Sequence, residues 1–409
     1  MSGALSVDVC IIGAGPVGGT LAARLAGAGI ATALIDRAAL PPMEHPDFDG
    51  RAYAIAAGSR RVLEAAALWS RLPFPANPIR GIRVSDGKPG RPASRLHLHF
   101  DVNEAGGDAP CDGDPAFGWI VEARSLRMAL NAHLHTLPAL SVFAPAMASL
   151  TRSDDGATVQ VAGGPTIHAR LVVAADGRNS ALREAAGIRV THLPYHQTGI
   201  VCAIAHEMPH HDVALEHFLP GGPFAQLPMA ATDGAPHISA IVWTERTKLA
   251  EHILRLDATA FTRELSRRLG PQLGAVRLLG QRWTYPLSAM VVHRYTATRL
   301  ALVGDAAHGI HPIAGQGLNL GFQDVGALSD LVIAAVAAGE DPGAADLLAR
   351  YQAARRPANL LMTAATDGLD RLFSNDFRPI RLARDLGIAA VHRIPPLKRL
   401  FMRRAMGLG

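Results

Sequence analysis

Gly13-Ala14-Gly15-Pro16-Val17-Gly18 places three glycines at the spacing that holds a dinucleotide pyrophosphate. The first glycine permits a tight turn, the second lets backbone approach the phosphates, and the third lets a helix pack closely on a strand. A helix opening here turns its positive N-terminal end toward the phosphate charge. Asp36, followed by Arg37, sits where a carboxylate accepts hydrogen bonds from the adenosine ribose hydroxyls and disfavours a 2′-phosphate. These residues specify FAD or NAD over NADP. They do not choose between the two.

Two later segments do choose, in favour of a flavin. Leu171–Ser180 runs from a buried strand into the turn Asp176-Gly177. Leu300–Val303 leads into Gly304-Asp305-Ala306-Ala307-His308 and then into the run from His311 to Asn319. Asp305, at a strand's C-terminal end, can hydrogen-bond a ribityl chain. A reduced flavin carries negative charge on its pyrimidine side, and a helix starting near Gly317 would stabilise that charge.

The surrounding pattern supplies the elements that must position these groups. Val7–Ile12 reads as a buried strand, Val17–Ala28 as a helix and Ala31–Ile35 as a second strand, which is a βαβ opening. Helices are expected over Ser59–Leu72 and Val121–Leu134, and strands over Val159–Val161 and Thr166–Val173. Residues 76–118 leave this layer. Strand-like runs follow at Gly199–Ala205, Val213–Phe218, Ile238–Trp243 and Trp283–Leu287, with one amphipathic helix from Lys248 to Leu269 that stops at Gly270. A further helix is expected from about Gly317 to Ala338, and helices thereafter.

The expected fold class is α/β: a Rossmann-like FAD-binding domain with an inserted antiparallel β-sheet substrate domain and a C-terminal helical segment. The cofactor domain would comprise 1–75, 119–190 and 291–345, the substrate domain 76–118 and 191–290, and the C-terminal helices 346–409.

Bulk composition excludes several functions. The chain has 409 residues, 49% hydrophobic and 18% charged, which is ample material for a core. Net charge is +5, but only Lys88, Lys248 and Lys398 are lysines, and no basic run is interleaved with aromatics, so nucleic acid is not an expected partner. Cys10, Cys111 and Cys202 form no dithiol or zinc pattern. His206, His210 and His211 lack the spacing and companions of a metal site and read as solvated loop histidines, so no metal is expected. The absence of a signal peptide or an unbroken apolar span gives a cytoplasmic expectation. From Arg378 onward, Arg381, Arg384, Arg393, Lys398, Arg399, Arg403 and Arg404 face the single acid Asp385. This basic amphipathic tail can rest on an anionic bilayer, at the inner face of the cell membrane, or pack on the flavin domain.

With these motifs the chain resembles the class A flavoprotein aromatic hydroxylases, and within them the ubiquinone-biosynthesis hydroxylase family. The run His311-Pro-Ile-Ala-Gly-Gln-Gly-Leu-Asn-Leu-Gly321 with Asp324 is similar to that branch's signature, as are Ala214-x-Glu216-x-Phe218, Gly222-Pro223-x-Ala225-x-Leu227-Pro228 and Tyr285-Pro286-Leu287. The resemblance implies non-covalent FAD, NADH or NADPH as a transient reductant, O2, and hydroxylation of a polyprenylated phenol. It also admits protein partners of a quinone-synthesis assembly.

By position, the resemblance has Gly13, Gly15, Gly18 and Asp36, beside Arg37, hold the ADP portion. Asp176 and Gly304 belong to the shared flavin motifs, and Asp305 with Gly317, Leu318 and Asn319 would line the ribityl chain and pyrimidine. Arg51 would approach the flavin or its pyrophosphate; it can equally be a loop cation. Ala123 stands where the family often presents a polar flavin contact, which leaves Glu122 or Arg124 nearby. The carbonyl of Pro312 would lie beside the flavin. His308 and His311 either serve the site or only pack the turn. No second glycine motif is present for a separate nicotinamide domain. Rival readings are a flavin-dependent prenyl-chain reductase and a non-catalytic flavoprotein scaffold.

Overall fold

A computed structural model describes residues 3–41, 48–90, 98–104, 115–232, 234–311 and 315–373, with 402, 406 and 407. Pro312, Cys111 and nearly all of the basic tail lie outside the described residues.

Three sheets organise the described residues. The first runs in the order Thr296–Ala297, Leu300–Leu302, Thr166–Ala174, Leu5–Ile12, Thr32–Ile35 and Leu140–Phe143, with the hairpin Ala148–Arg152/Ala157–Val161 attached to Thr166–Ala174. Its inner pairs are parallel. Parallel strands are covered on both faces, which is why Val9, Cys10, Ile11 and Leu171–Ala174 form an unbroken apolar interior. The helix Pro16–Gly27 packs there against Gln316–Ala337 and Ala123–Leu134. Gln316–Ala337 is apolar and long enough to cross a membrane, and its inward face is built into this core.

The second sheet has eight strands in the order His308–Gly309, Val276–Val292, Val190–His206, Ile238–Arg246, Gly222–Met229, Val213–Leu219, Gly81–Asp86 and Leu98–Asp101. It is antiparallel except where Val213–Leu219 and Gly81–Asp86 run parallel. The partners Val190–His206 and Val276–Val292 are 17 residues each, longer than the sequence runs suggested, and two register shifts bend them. One face of this sheet is sealed by helices that bury Trp243, Phe261 and Leu265. The other faces a cavity.

The single helix expected over Lys248–Leu269 is two, Thr247–Leu254 and Ala258–Leu269. Asp257 breaks the run: its Oδ1 accepts the Ala260 N–H at 2.8 Å and caps the second helix. Gly270, at φ +85°, ends that helix as expected. The third sheet joins Ala52–Ala56, Gly118–Glu122 and Asn77–Ile79; the sequence pattern assigned Ala52–Ala56 to no element and began a helix at Val121, inside the second strand. His206 is also not solvated: it is buried at its strand end, bonded to the Met208 carbonyl and to Ser239 Oγ.

Candidate active site

The glycine loop follows its strand and opens the helix Pro16–Gly27 as the spacing demands. Gly13 has φ +107°, and a Cβ there would meet the Ala175 carbonyl oxygen at 2.3 Å. A Cβ on Gly18 would stand 2.0 Å from the Gly13 oxygen. Around Gly15, by contrast, a Cβ would meet nothing within 4 Å, and Gly15 lines the cavity. The first and third glycines therefore serve close packing, and the second leaves open room beside a helix N-terminus. Asp36 Oδ2 accepts the Ala14 N–H at 2.6 Å, and Oδ1 accepts the Ala38 N–H at 2.7 Å. It thus ties the second strand to the loop, while Arg37 is exposed.

Against Val17 at the start of the helix Pro16–Gly27, Gly304–Ala306 forms a tight turn, with Asp305 its one exposed residue. The Asp305 carboxylate faces the cavity with no hydrogen-bond partner among the described residues. Gly317 and Leu318 line the same space at the N-terminal end of Gln316–Ala337. Open room at Gly15, an unsatisfied carboxylate at Asp305 and two helix N-termini on one cavity fit the phosphates, polyol and electron-rich ring of FAD.

Behind this wall lies a buried network that sequence reading did not assemble. Asp324 Oδ2 accepts from the Gly304 N–H at 3.1 Å and meets His308 Nε2 at 2.6 Å. Its Oδ1 accepts from Arg355 Nε at 2.8 Å and Asn359 Nδ2 at 3.2 Å. Burial pushes the Asp324 carboxyl up, but His308 and Arg355 together hold it below the ordinary carboxylate range. The only sequence signal was Asp324's place in the family run; nothing pointed to Arg355.

The remaining expected residues are placed less directly. Asn319 turns its amide away from the cavity: Nδ2 donates to the Ala54 carbonyl at 2.8 Å, and Oδ1 accepts the Ala56 N–H at 2.9 Å. Arg51 is paired with Asp49 at 2.7 Å and stacks 4.4 Å over Trp283, close to the cavity-lining Tyr285. Arg124 is paired with Glu122 at 2.6 Å and packs 4.2 Å over Phe74. Asp176 Oδ2 lies 3.4 Å from the Leu182 nitrogen, while its buried Oδ1 has no partner among the described residues. His311 is fully buried, with Nε2 3.2 Å from Gln197 Oε1. Cys10 and Cys202 are buried, which pushes both thiols up to about 12 and leaves neither a nucleophile at neutral pH.

The cavity measures about 980 Å³ and continues from the glycine loop across to the second sheet. There its wall is apolar, built from residues such as Ile82, Phe100, Ala214, Leu227 and Val242. One space thus joins a dinucleotide cradle to an apolar chamber.

A family described as an FAD binding domain matches residues 6–366. The ubiquinone hydroxylase UbiL of Rhodospirillum rubrum is 49% identical over 98% of this chain and 89% of its own length. The chain belongs to the ubiquinone hydroxylase family. A second relative, the 3-demethoxyubiquinol 3-hydroxylase of Escherichia coli, is 32% identical over 98% of both chains. Among solved structures, the p-nitrophenol 4-monooxygenase PnpA of Pseudomonas putida superposes with a TM-score of 0.76 over 98% of both chains, at 17% identity. PqsL of Pseudomonas aeruginosa, a probable FAD-dependent monooxygenase, gives 0.75 over 94% of this chain and 100% of that one, at 23% identity. These two likenesses establish the shared fold. Membership of the ubiquinone hydroxylase family makes the chain an FAD-dependent monooxygenase.

Proposed function

We propose that this protein hydroxylates the aromatic ring of a polyprenylated phenol in ubiquinone biosynthesis, using FAD, NADH or NADPH, and O2. The carrying observation is the single cavity that joins the glycine loop and Asp305 to the apolar wall of the second sheet. Bound FAD would supply hydride acceptance from the nicotinamide and activation of oxygen.

The chain's own residues do the rest. The Pro16–Gly27 N-terminus and Gly15 receive the phosphates, Asp305 orients the ribityl hydroxyls, and the Gln316–Ala337 N-terminus stabilises negative charge on the pyrimidine. The apolar wall accepts the ring and the start of a prenyl tail and excludes water from them. We assign the cofactor domain to 1–75, 119–190 and 291–345, and the substrate domain to 76–118 and 191–290.

Incubation with a short-chain prenylphenol, NADH or NADPH, and ¹⁸O2 tests the reading. The expected product carries one labelled hydroxyl, with oxygen uptake stimulated by the phenol. A prenyl-chain reductase would saturate the tail without label, and a scaffold would leave its FAD oxidised in the presence of NADH and NADPH.

Peripheral membrane contact through the segment from Arg378 onward belongs to the same proposal, since a polyprenyl substrate partitions into lipid. Within that segment Met402 lines the cavity and Met406 accepts the Gly58 N–H at 2.9 Å. Flotation with anionic liposomes of the full chain, against a chain ending at Pro395, tests it; equal flotation of the two excludes the tail.

A further inference from the structure

Glu216 is the ionisable group in an otherwise apolar stripe across the cavity face of the second sheet. Strand registers align Leu98 with Val84, Val84 with Glu216, Glu216 with Ala225, Ala225 with Val242, and Val242 with Val201. All six residues line the cavity. Paired residues in register point to the same face, so the carboxyl stands among Val84, Ala225 and their neighbours. The alternate residues behave differently: His217, on the reverse face, is bonded to Ser85 at 2.7 Å. Glu216 has no hydrogen-bond or ion-pair partner among the described residues. Its half-exposed surface is cavity wall, since the side chain lies deep within the protein.

A buried carboxyl without a partner is costly, and such groups are held where a ligand completes them. Among the described residues this stripe holds no cation, so a ligand that is anionic before it reacts is disfavoured beside Glu216. A neutral hydroxyl donor in an apolar body satisfies the group, and a prenylated phenol has that chemistry. We propose that Glu216 receives the hydroxyl of the phenolic substrate and acts as the general base that takes its proton. This rests on the phenol hydroxylase reading above.

The transfer is balanced: the phenol O–H bond breaks, the proton moves to the Glu216 carboxylate, and the electron pair stays on the phenolate oxygen. Delocalised into the ring, that pair raises the nucleophilicity of the ortho and para carbons toward the oxygen being transferred. The proton leaves to solvent on product release. Burial pushes the Glu216 carboxyl up to about 7, which makes it a stronger base than an ordinary carboxylate.

Glu216→Gln keeps the shape, removes the base, and relieves a buried charge, so it folds. The holoenzyme of this variant, the wild type and Glu216→Asp would be compared with a phenol bearing one short isoprenoid tail. The expected result is unchanged FAD content in Glu216→Gln, a fall in hydroxylated product of about a hundredfold, and hydrogen peroxide in its place. In the wild type, turnover rises with pH through about 7; in Glu216→Gln this acid limb is lost, while Glu216→Asp retains it. Product formation within twofold of wild type overturns the proposal, and so does a large loss that leaves the acid limb in place. Failure of the wild type itself to hydroxylate the phenol would instead refute the hydroxylase reading.

Discussion

His308 Nε2 lies 2.6 Å from Asp324 Oδ2, at the boundary where the cavity wall becomes core. His308 lines the cavity, and Asp324 is fully buried on the helix Gln316–Ala337. The same carboxylate anchors the Gly304 N–H, so one residue fixes both a wall side chain and the turn that presents Asp305. Arg355, from the long helix Ala345–Phe373, closes the network from behind.

Asp324→Asn should therefore damage fold and cofactor site together. It leaves Arg355 and His308 buried opposite a neutral amide, a kind of change that costs about 3–5 kcal/mol. Thermal denaturation should show a lowered midpoint, and the purified variant should carry less FAD than wild type. A variant with wild-type melting and FAD content would remove Asp324 from this anchoring role.

Asp305→Ala separates the two effects. The carboxylate has no partner among the described residues, so the apoprotein should melt within about 0.5 kcal/mol of wild type. FAD affinity should fall roughly ten- to a hundredfold, the worth of charged hydrogen bonds to the ribityl chain. Fluorescence titration of apoprotein with FAD measures it. Unchanged affinity would place the ribityl chain elsewhere.

Gly15 and Gly18 should fail in opposite ways when replaced by alanine. At Gly18 the new methyl would meet the Gly13 oxygen at 2.0 Å and the Ala175 Cβ at 2.7 Å, forcing the helix from its strand. A loss of roughly 1–3 kcal/mol in the apoprotein is expected. At Gly15 the methyl enters open cavity, so the apoprotein should keep its stability and lose FAD. Urea denaturation of both apoproteins, paired with flavin absorbance, reads the contrast. If Gly15→Ala binds FAD normally, the loop does not hold the phosphates.

His311 should make the protein acid-sensitive. Burial pushes its imidazole down from 6.5 to about 4, and the Asp367 charge does not offset this. Between these values the unfolded chain binds a proton that the native chain refuses, so stability falls as pH drops from about 6.5 toward 4 and is unaffected by this group above 6.5. The contribution is about 1–3 kcal/mol. His311→Gln should flatten the pH dependence of the urea midpoint across this window. A parallel slope in variant and wild type would show that His311 does not titrate as its burial requires.

The glycine loop was legible in the sequence because its geometry is local. A glycine loop must follow a strand and open a helix to work, so Gly13, Gly15, Gly18 and Asp36 carry their own geometry in contiguous residues. Asp305 and Gly317 are readable for the same reason, each marking the end or start of an element. Arg51 and Arg124 show where that reading thins: the residue type was visible, but the partners Asp49 and Glu122 that engage them were not weighed. Asp257 broke an apparently continuous amphipathic helix through a single cap, which helical periodicity does not register. Tertiary structure alone decided the apolar chamber. Glu216 stands in a family-like run, but its apolar surroundings emerge only when Leu98, Val84, Ala225, Val242 and Val201, drawn from separate strands, align beside it. Asp324 likewise acquires meaning only when Arg355 closes on it. A side chain's charge state and partners follow from its surroundings, and long-range strand pairing and helix packing set those surroundings, whereas a phosphate loop is shaped by the dihedral angles of its own few residues.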